Sequence, residues 1–136
     1  MKETICMAFG LVGSCVAYLL GGWDTAVVTL FIFMVIDYIT GLMVAGIFHK
    51  SSKTDTGALE SNASWKGLAK KFATFLIIIV DNMLDKQIGE SILRDGVCIT
   101  FIANECLSII ENAGLMGVPI PARITQAIDV LLKKGE

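Results

Sequence analysis

The chain has 136 residues, 54% hydrophobic and 18% charged, with a formal net charge of −2 and a mean hydropathy of +0.70. A soluble domain of this length carries about 25% charge, and the apolar residues here are clustered rather than periodic, so the composition points to a membrane protein. No basic patch with interleaved aromatics suggests nucleic acid. The four cysteines (Cys6, Cys15, Cys98, Cys106) lie in apolar stretches without a CxxC pair and read as small buried hydrophobes.

The first apolar segment covers residues 4–22. Val12-Gly13-Ser14-Cys15 has the look of a lipoprotein processing site, but Glu3 cancels Lys2 and the apolar run before Cys15 is short, which argues against a cleaved signal. The second segment covers residues 25–48, 24 residues with Asp37 alone near the middle. A helix of that length reaches about 36 Å, enough to cross a hydrocarbon core of about 30 Å. An ionisable group at that depth costs at least about 2.5–3.5 kcal/mol, so Asp37 is expected to face a partner helix or water.

A polar loop over residues 49–67 follows, rich in Ser, Thr, Lys and Gly. The third segment, 68–84, has a continuous apolar core only from Phe72 to Val80. It spans if Lys70 and Lys71 snorkel to the headgroups, and is otherwise re-entrant. The fourth, 96–117, is polar for a lipid-facing helix. Thr100, Asn104 and Ser108 recur every four residues and form a stripe that should meet protein or water, with Glu105 beside it. After the Pro119–Pro121 turn, residues 120–134 form an amphipathic helix with an apolar stripe of Ile120, Ile124, Ile128 and Leu131. Such a helix lies on a leaflet, pairs with a neighbour, or packs on the body.

The expected fold is therefore an all-α integral membrane protein forming one domain over residues 1–136. It has four transmembrane helices, or three if the third segment is re-entrant, plus the C-terminal amphipathic helix. By the positive-inside rule, the loop carrying Lys50, Lys53, Lys66, Lys70 and Lys71 is cytoplasmic. Four spans then put both termini on the same side, and with them Lys2, Arg123, Lys133 and Lys134, so that nine of the 11 basic residues are inside. Small residues at four-residue spacing (Gly10/Ser14, Gly13/Ala17, Gly41/Ala45) let helices approach closely and make a homo-oligomer plausible. Asp37, Asp81 and Glu105, with Thr40 and Gly41 on the Asp37 face, are the candidate pore-lining or helix-association residues. No GxSxG, HExxH, phosphate loop or EF-hand pattern occurs, and His49 is a lone histidine. Neither an enzyme nor a metal or cofactor site is expected.

Asp37-Tyr38-Ile39-Thr40-Gly41, Ser51-Ser52, Lys66-Gly67-Leu68, Lys70-Lys71 and Asp81 occur in an order that resembles the phage holins of the toxin-secretion/phage-lysis type, including holin-like proteins encoded beside large clostridial toxins. The resemblance covers roughly residues 25–110, with an extended TDTGALESNAS stretch in the loop. It implies a protein of the bacterial cytoplasmic membrane, with the lipid bilayer and copies of itself as partners. Such a protein oligomerises suddenly into lesions that release an endolysin or a large toxin, without a specific binding site for either. Met7 offers a second start that would make an inhibitor form. The alternatives are a non-pore membrane subunit or regulator that binds its partner through Asp37, and a small ion channel.

Overall fold

The computed structural model describes residues 1–90 and 92–135; positions 91 and 136 of the expected domain lie outside them. Five helices follow one another: α1 (Lys2–Leu20), α2 (Thr25–Gly46), α3 (Ser61–Ile88), α4 (Ile92–Leu115) and α5 (Ala122–Gly135). No strand occurs among the described residues.

Local chemistry sets the helix ends. α1 stops in a Schellman turn: Gly22 N–H donates to the Ala17 carbonyl at 2.6 Å and Gly21 N–H to Tyr18 at 3.3 Å, with Gly21 at φ 86°. Glycine is needed there twice over, because a Cβ would also come within 2.6 Å of Asn82 Oδ1. Asp24 caps α2 by accepting from Val27 N–H at 3.1 Å. α4 is capped from a neighbouring helix, since the Asp85 carboxylate of α3 accepts from Leu93 N–H at 3.1 Å and Arg94 N–H at 2.8 Å. Pro119 and Pro121 separate α4 from α5.

Side-chain contacts give the helix directions. Asp24 meets Arg94 near the start of α2 and α4, and Asp37 meets Asn112 further along both, so these two helices run parallel. On α3, Lys71 sits at the Asp37 level whereas Asn82 and Asp85 sit at the Arg94 level, so α3 runs the opposite way. The C-terminal end of α1 lies against Asn82 and Arg94, which orients α1 with α3. The result is an up-down-up-down arrangement with two polar layers. About 13 residues of α2, roughly 20 Å of helix axis, separate them.

Between the layers lies the apolar core of Leu20, Val27, Leu30, Met34, Ile78, Cys98 and Ile102. The outer faces are also apolar, with Phe9, Val12, Phe31, Ile32, Ile36, Phe72, Ile77, Val80 and Leu107 exposed. A soluble monomer seldom shows so much contiguous apolar surface. Expected burial fails for two cysteines: Cys6 and Cys15 are exposed on α1, because α1 touches the bundle only along a narrow strip toward its C-terminal end.

Four spans were expected, and length and composition alone support two of them. Two helices, α1 and α2, are long and apolar enough to cross a membrane by composition. α3 is one uninterrupted 28-residue helix, with no re-entrant break, and α4 has 24 residues. Their charges, including Lys70, Lys71, Asp81, Asp85, Arg94 and Glu105, set them apart from the first two. The loop also shortens: α3 begins at Ser61, so Lys66, Lys70 and Lys71 are helical and only Lys50 and Lys53 remain in the connection.

The polar layer around Arg94 ties three elements together. Its guanidinium donates to the Leu20 carbonyl at 2.8 Å, the Gly22 carbonyl at 3.3 Å, both Asp24 oxygens at 2.5 and 3.0 Å, and Asp95 at 3.0 Å. Asn82 adds a bond to the Leu19 carbonyl at 2.9 Å, and Lys86 stands 3.7 Å over the Tyr18 ring. The guanidinium holds the Asp24 carboxyl below its usual range. A depressed folded pKa stabilises the fold fully above the ordinary carboxyl value of about 3.9 and ceases to do so as pH falls through the lower folded value. Arg94→Met is expected to lower the unfolding free energy by about 2–4 kcal/mol, discounted because Asp24 is 48% exposed and screened. Denaturation in detergent measures this, and Asp24→Asn is expected to flatten the acid limb of the stability curve.

Candidate functional site

The second polar layer is built by α2, α3 and α4. Lys71 Nζ donates to Asp37 Oδ2 at 2.7 Å and to Glu105 Oε2 at 2.9 Å. All three side chains are secluded, at 16% exposure for Lys71, 6% for Asp37 and 16% for Glu105. Asn112 closes the other side. Its amide donates to Asp37 Oδ1 at 3.0 Å and to Thr40 Oγ1 at 2.9 Å. The Thr40 hydroxyl in turn donates to the Ile36 carbonyl at 2.8 Å. Both oxygens of Asp37 therefore have donors from different helices, which is what a carboxylate held away from water requires.

Lys71 is where the structure departs most from the sequence reading. It was expected to snorkel to the headgroups with Lys70. Lys70 is exposed, but Lys71, one residue on, is turned about 100° around the helix and points inward. Two carboxylates await it there, and ion pairing outweighs the reach to water.

A cavity of about 240 Å³ opens beside the three charges. Asp37, Lys71, Glu105, Ser108 and Asn112 line it at the helix side, and Ser51, Lys53 and Glu60 at the side of the α2–α3 connection. It is large enough for several waters and polar enough to hold them. It leads from the connection toward the buried charges.

The candidate residues thus divide. Asp37, Thr40, Glu105 and Ser108 come together, with Gly41 alongside: a Cβ at Gly41 would stand 3.8 Å from Asn112 Nδ2, an ordinary contact. Thr100 and Asn104 are exposed, and the Thr100 hydroxyl bonds the Gly96 carbonyl at 2.9 Å. The stripe separates because each four-residue step advances about 40° around a helix. Asp81 stays apart from the triad; it is half-buried, and its Oδ2 has no hydrogen-bond partner among the described residues. The small faces of Gly10 and Gly13 are open, with nothing within 4 Å of an added Cβ. Asn112 and Arg94 were not singled out in the sequence. Asn112 continues the Asn104–Ser108 spacing by one step, a signal that was present. Among the described residues, no group of three or more metal-ligating side chains occurs.

An all-helical chain with apolar outer faces and paired charges inside has the make-up of a small membrane protein. The sequence pattern of the bacteriophage holin family matches residues 14–133, and the chain belongs to that family. A probable holin of Bacillus phage phi105 is 37% identical over 98 residues, 71% of this chain and 67% of that protein. An uncharacterised protein of Clostridium perfringens is 34% identical across 96% of this chain and 94% of its own length. One of Listeria monocytogenes is 33% identical across 97% and 91%. No solved structure matches.

Lys71→Met leaves two carboxylates facing each other in a secluded site. It is expected to destabilise the helical fold by about 3–5 kcal/mol. Adding Asp37→Asn and Glu105→Gln to it should recover a large part of that loss, because neutral amides can still bond to Asn112 and to each other. Thermal unfolding of the single and triple variants in detergent checks both statements.

Proposed function

We propose that the chain is a holin: it inserts in a bacterial cytoplasmic membrane, accumulates as a closed four-span bundle, and associates with copies of itself into lesions. The observation that carries this reading is the buried Lys71–Asp37–Glu105 junction inside a bundle with an apolar exterior. In lipid the exterior needs no covering, and the charges on α3 and α4 do not oppose insertion where they are paired inside. α3, at about 42 Å, and α4, at about 36 Å, are both long enough to cross.

In this reading, Lys50 and Lys53 mark the cytoplasmic side, both termini share it, and the Arg94 layer faces outward. The junction works as a latch. Buried ion pairs bring little net stability because desolvating each charge costs several kcal/mol, yet breaking one without water is worse. When copies assemble around water, the three charges are solvated and the latch has an alternative partner. The exposed α1, with Gly10 and Gly13 facing outward, offers a close-packing surface for such assembly. The lesion would then release an endolysin or a large toxin.

Expression in a bacterium is expected to dissipate the membrane potential and admit an excluded dye after a delay, and co-expressed endolysin should then lyse the cells. Asp37→Asn and Lys71→Met should shorten that delay at equal membrane levels. Full accumulation without dye entry would point instead to a non-pore subunit or regulator, and ion-selective currents without protein release to a channel. A delay unchanged in both variants would remove the latch from the account.

A further inference from the structure

α5 occupies a place in this fold that a lipid-embedded α4 does not allow. It packs chiefly on α4, with Ile128 only 2% exposed, and Leu131 reaches the core cluster containing Cys98 and Ile102. That cluster lies between the two polar layers. α5 begins beyond Leu115, past the level of Asn112, so it must double back along α4 and end beside the middle of that helix. Lys133 and Lys134 come two and three residues after Leu131, and both are exposed.

If α4 spans the bilayer, these two ammonium groups stand near the midplane. That is about 15 Å from either headgroup layer, beyond the reach of a lysine stem, and such a place is among the most costly for a charged side chain. Over Ala122–Gly135 the helix carries Arg123, Lys133 and Lys134 against one acid, Asp129, with its apolar stripe on another face. A helix of that make-up fits an anionic lipid surface.

We propose that α5 has two seats: on α4, as in this structure, and on the anionic headgroup surface at the end of the bundle where α4 finishes, to which it moves when the other helices are in lipid. This rests on the four-span reading above. The move strips one face of α4 of its cover and leaves α5 tethered by the Gly117–Pro121 connection.

Val130 reports the seat. It lies about 200° around the helix from Ile128, so it faces outward into lipid when α5 is docked and toward water when the apolar stripe lies on headgroups. The test uses the full chain, with its four cysteines replaced by alanine, in phosphatidylcholine–phosphatidylglycerol vesicles. A membrane-impermeant maleimide is applied to Val130→Cys, with Lys53→Cys as the aqueous reference and Leu107→Cys as the embedded one. The proposal expects Val130→Cys to react as fast as Lys53→Cys and from the same side. Adding Lys133→Leu and Lys134→Leu should slow it by at least about tenfold, as expected from losing two surface-bound lysines. Reaction as slow as Leu107→Cys overturns the proposal, and so does fast reaction that the leucine pair leaves unchanged. Glu90→Cys separates the two readings. If it reacts only from the face opposite to Lys53→Cys, four spans stand and any failure is that of α5 alone; if both react from one face, the four-span reading and the proposal fall together.

Discussion

The organisation of this protein depends on one constraint: Lys71 is held out of bulk water and must be neutralised there. A single ammonium between two carboxylates draws on three helices at once, Asp37 from α2, Lys71 from α3 and Glu105 from α4. Apolar contacts tolerate sliding by a residue or a small rotation. A 2.7 Å ion pair does not, because any slip leaves a secluded charge without its partner. The junction therefore sets the register of the bundle more than it deepens its stability. Asn112 and Thr40 complete the set by occupying the remaining Asp37 oxygen and each other.

The Arg94 layer does comparable work at the other end, but with a different balance of burial. There a guanidinium gathers the carbonyls of Leu20 and Gly22 and the partly exposed Asp24, and joins the α1–α2 turn to the start of α4. The two layers bracket an apolar core, so the bundle is polar at two levels inside and apolar around its sides. α1 is fastened by its C-terminal end and is otherwise largely bare, which leaves it the helix with most surface to offer another copy.

Much of this pattern is written in the spacing of residues. On α2, Val27, Leu30, Met34, Asp37, Gly41 and Val44 alternate by three and four, the spacing of an inward seam, and Asp37 falls in step with the apolar members. On α4, Cys98, Glu105 and Asn112 are seven apart and share a face. Asp37 as a focus and an all-helical fold could be read from these seams. The identity of its partner could not: beside Lys70, Lys71 looks like a headgroup anchor, and only the relative rotation of α3 against α2 turns it inward. Arg94 carried no sequence mark, because two of its acceptors are the backbone carbonyls of Leu20 and Gly22 and its carboxylate partner Asp24 lies 70 residues away in the chain. The early start of α3 at Ser61 was hidden for a related reason, since Glu60 makes no side-chain cap bond there.

The central claim is that the junction is closed before lesions form and open within them. Pulsed electron-spin distances between labels at Ile39→Cys and Phe72→Cys test it most directly, in a chain whose native cysteines are replaced. These exposed positions flank the junction on α2 and α3. Measured in membranes before and after the onset of dye entry, the distance should be short and narrowly distributed first, then longer and broader. A distribution that stays the same through the onset would contradict the account.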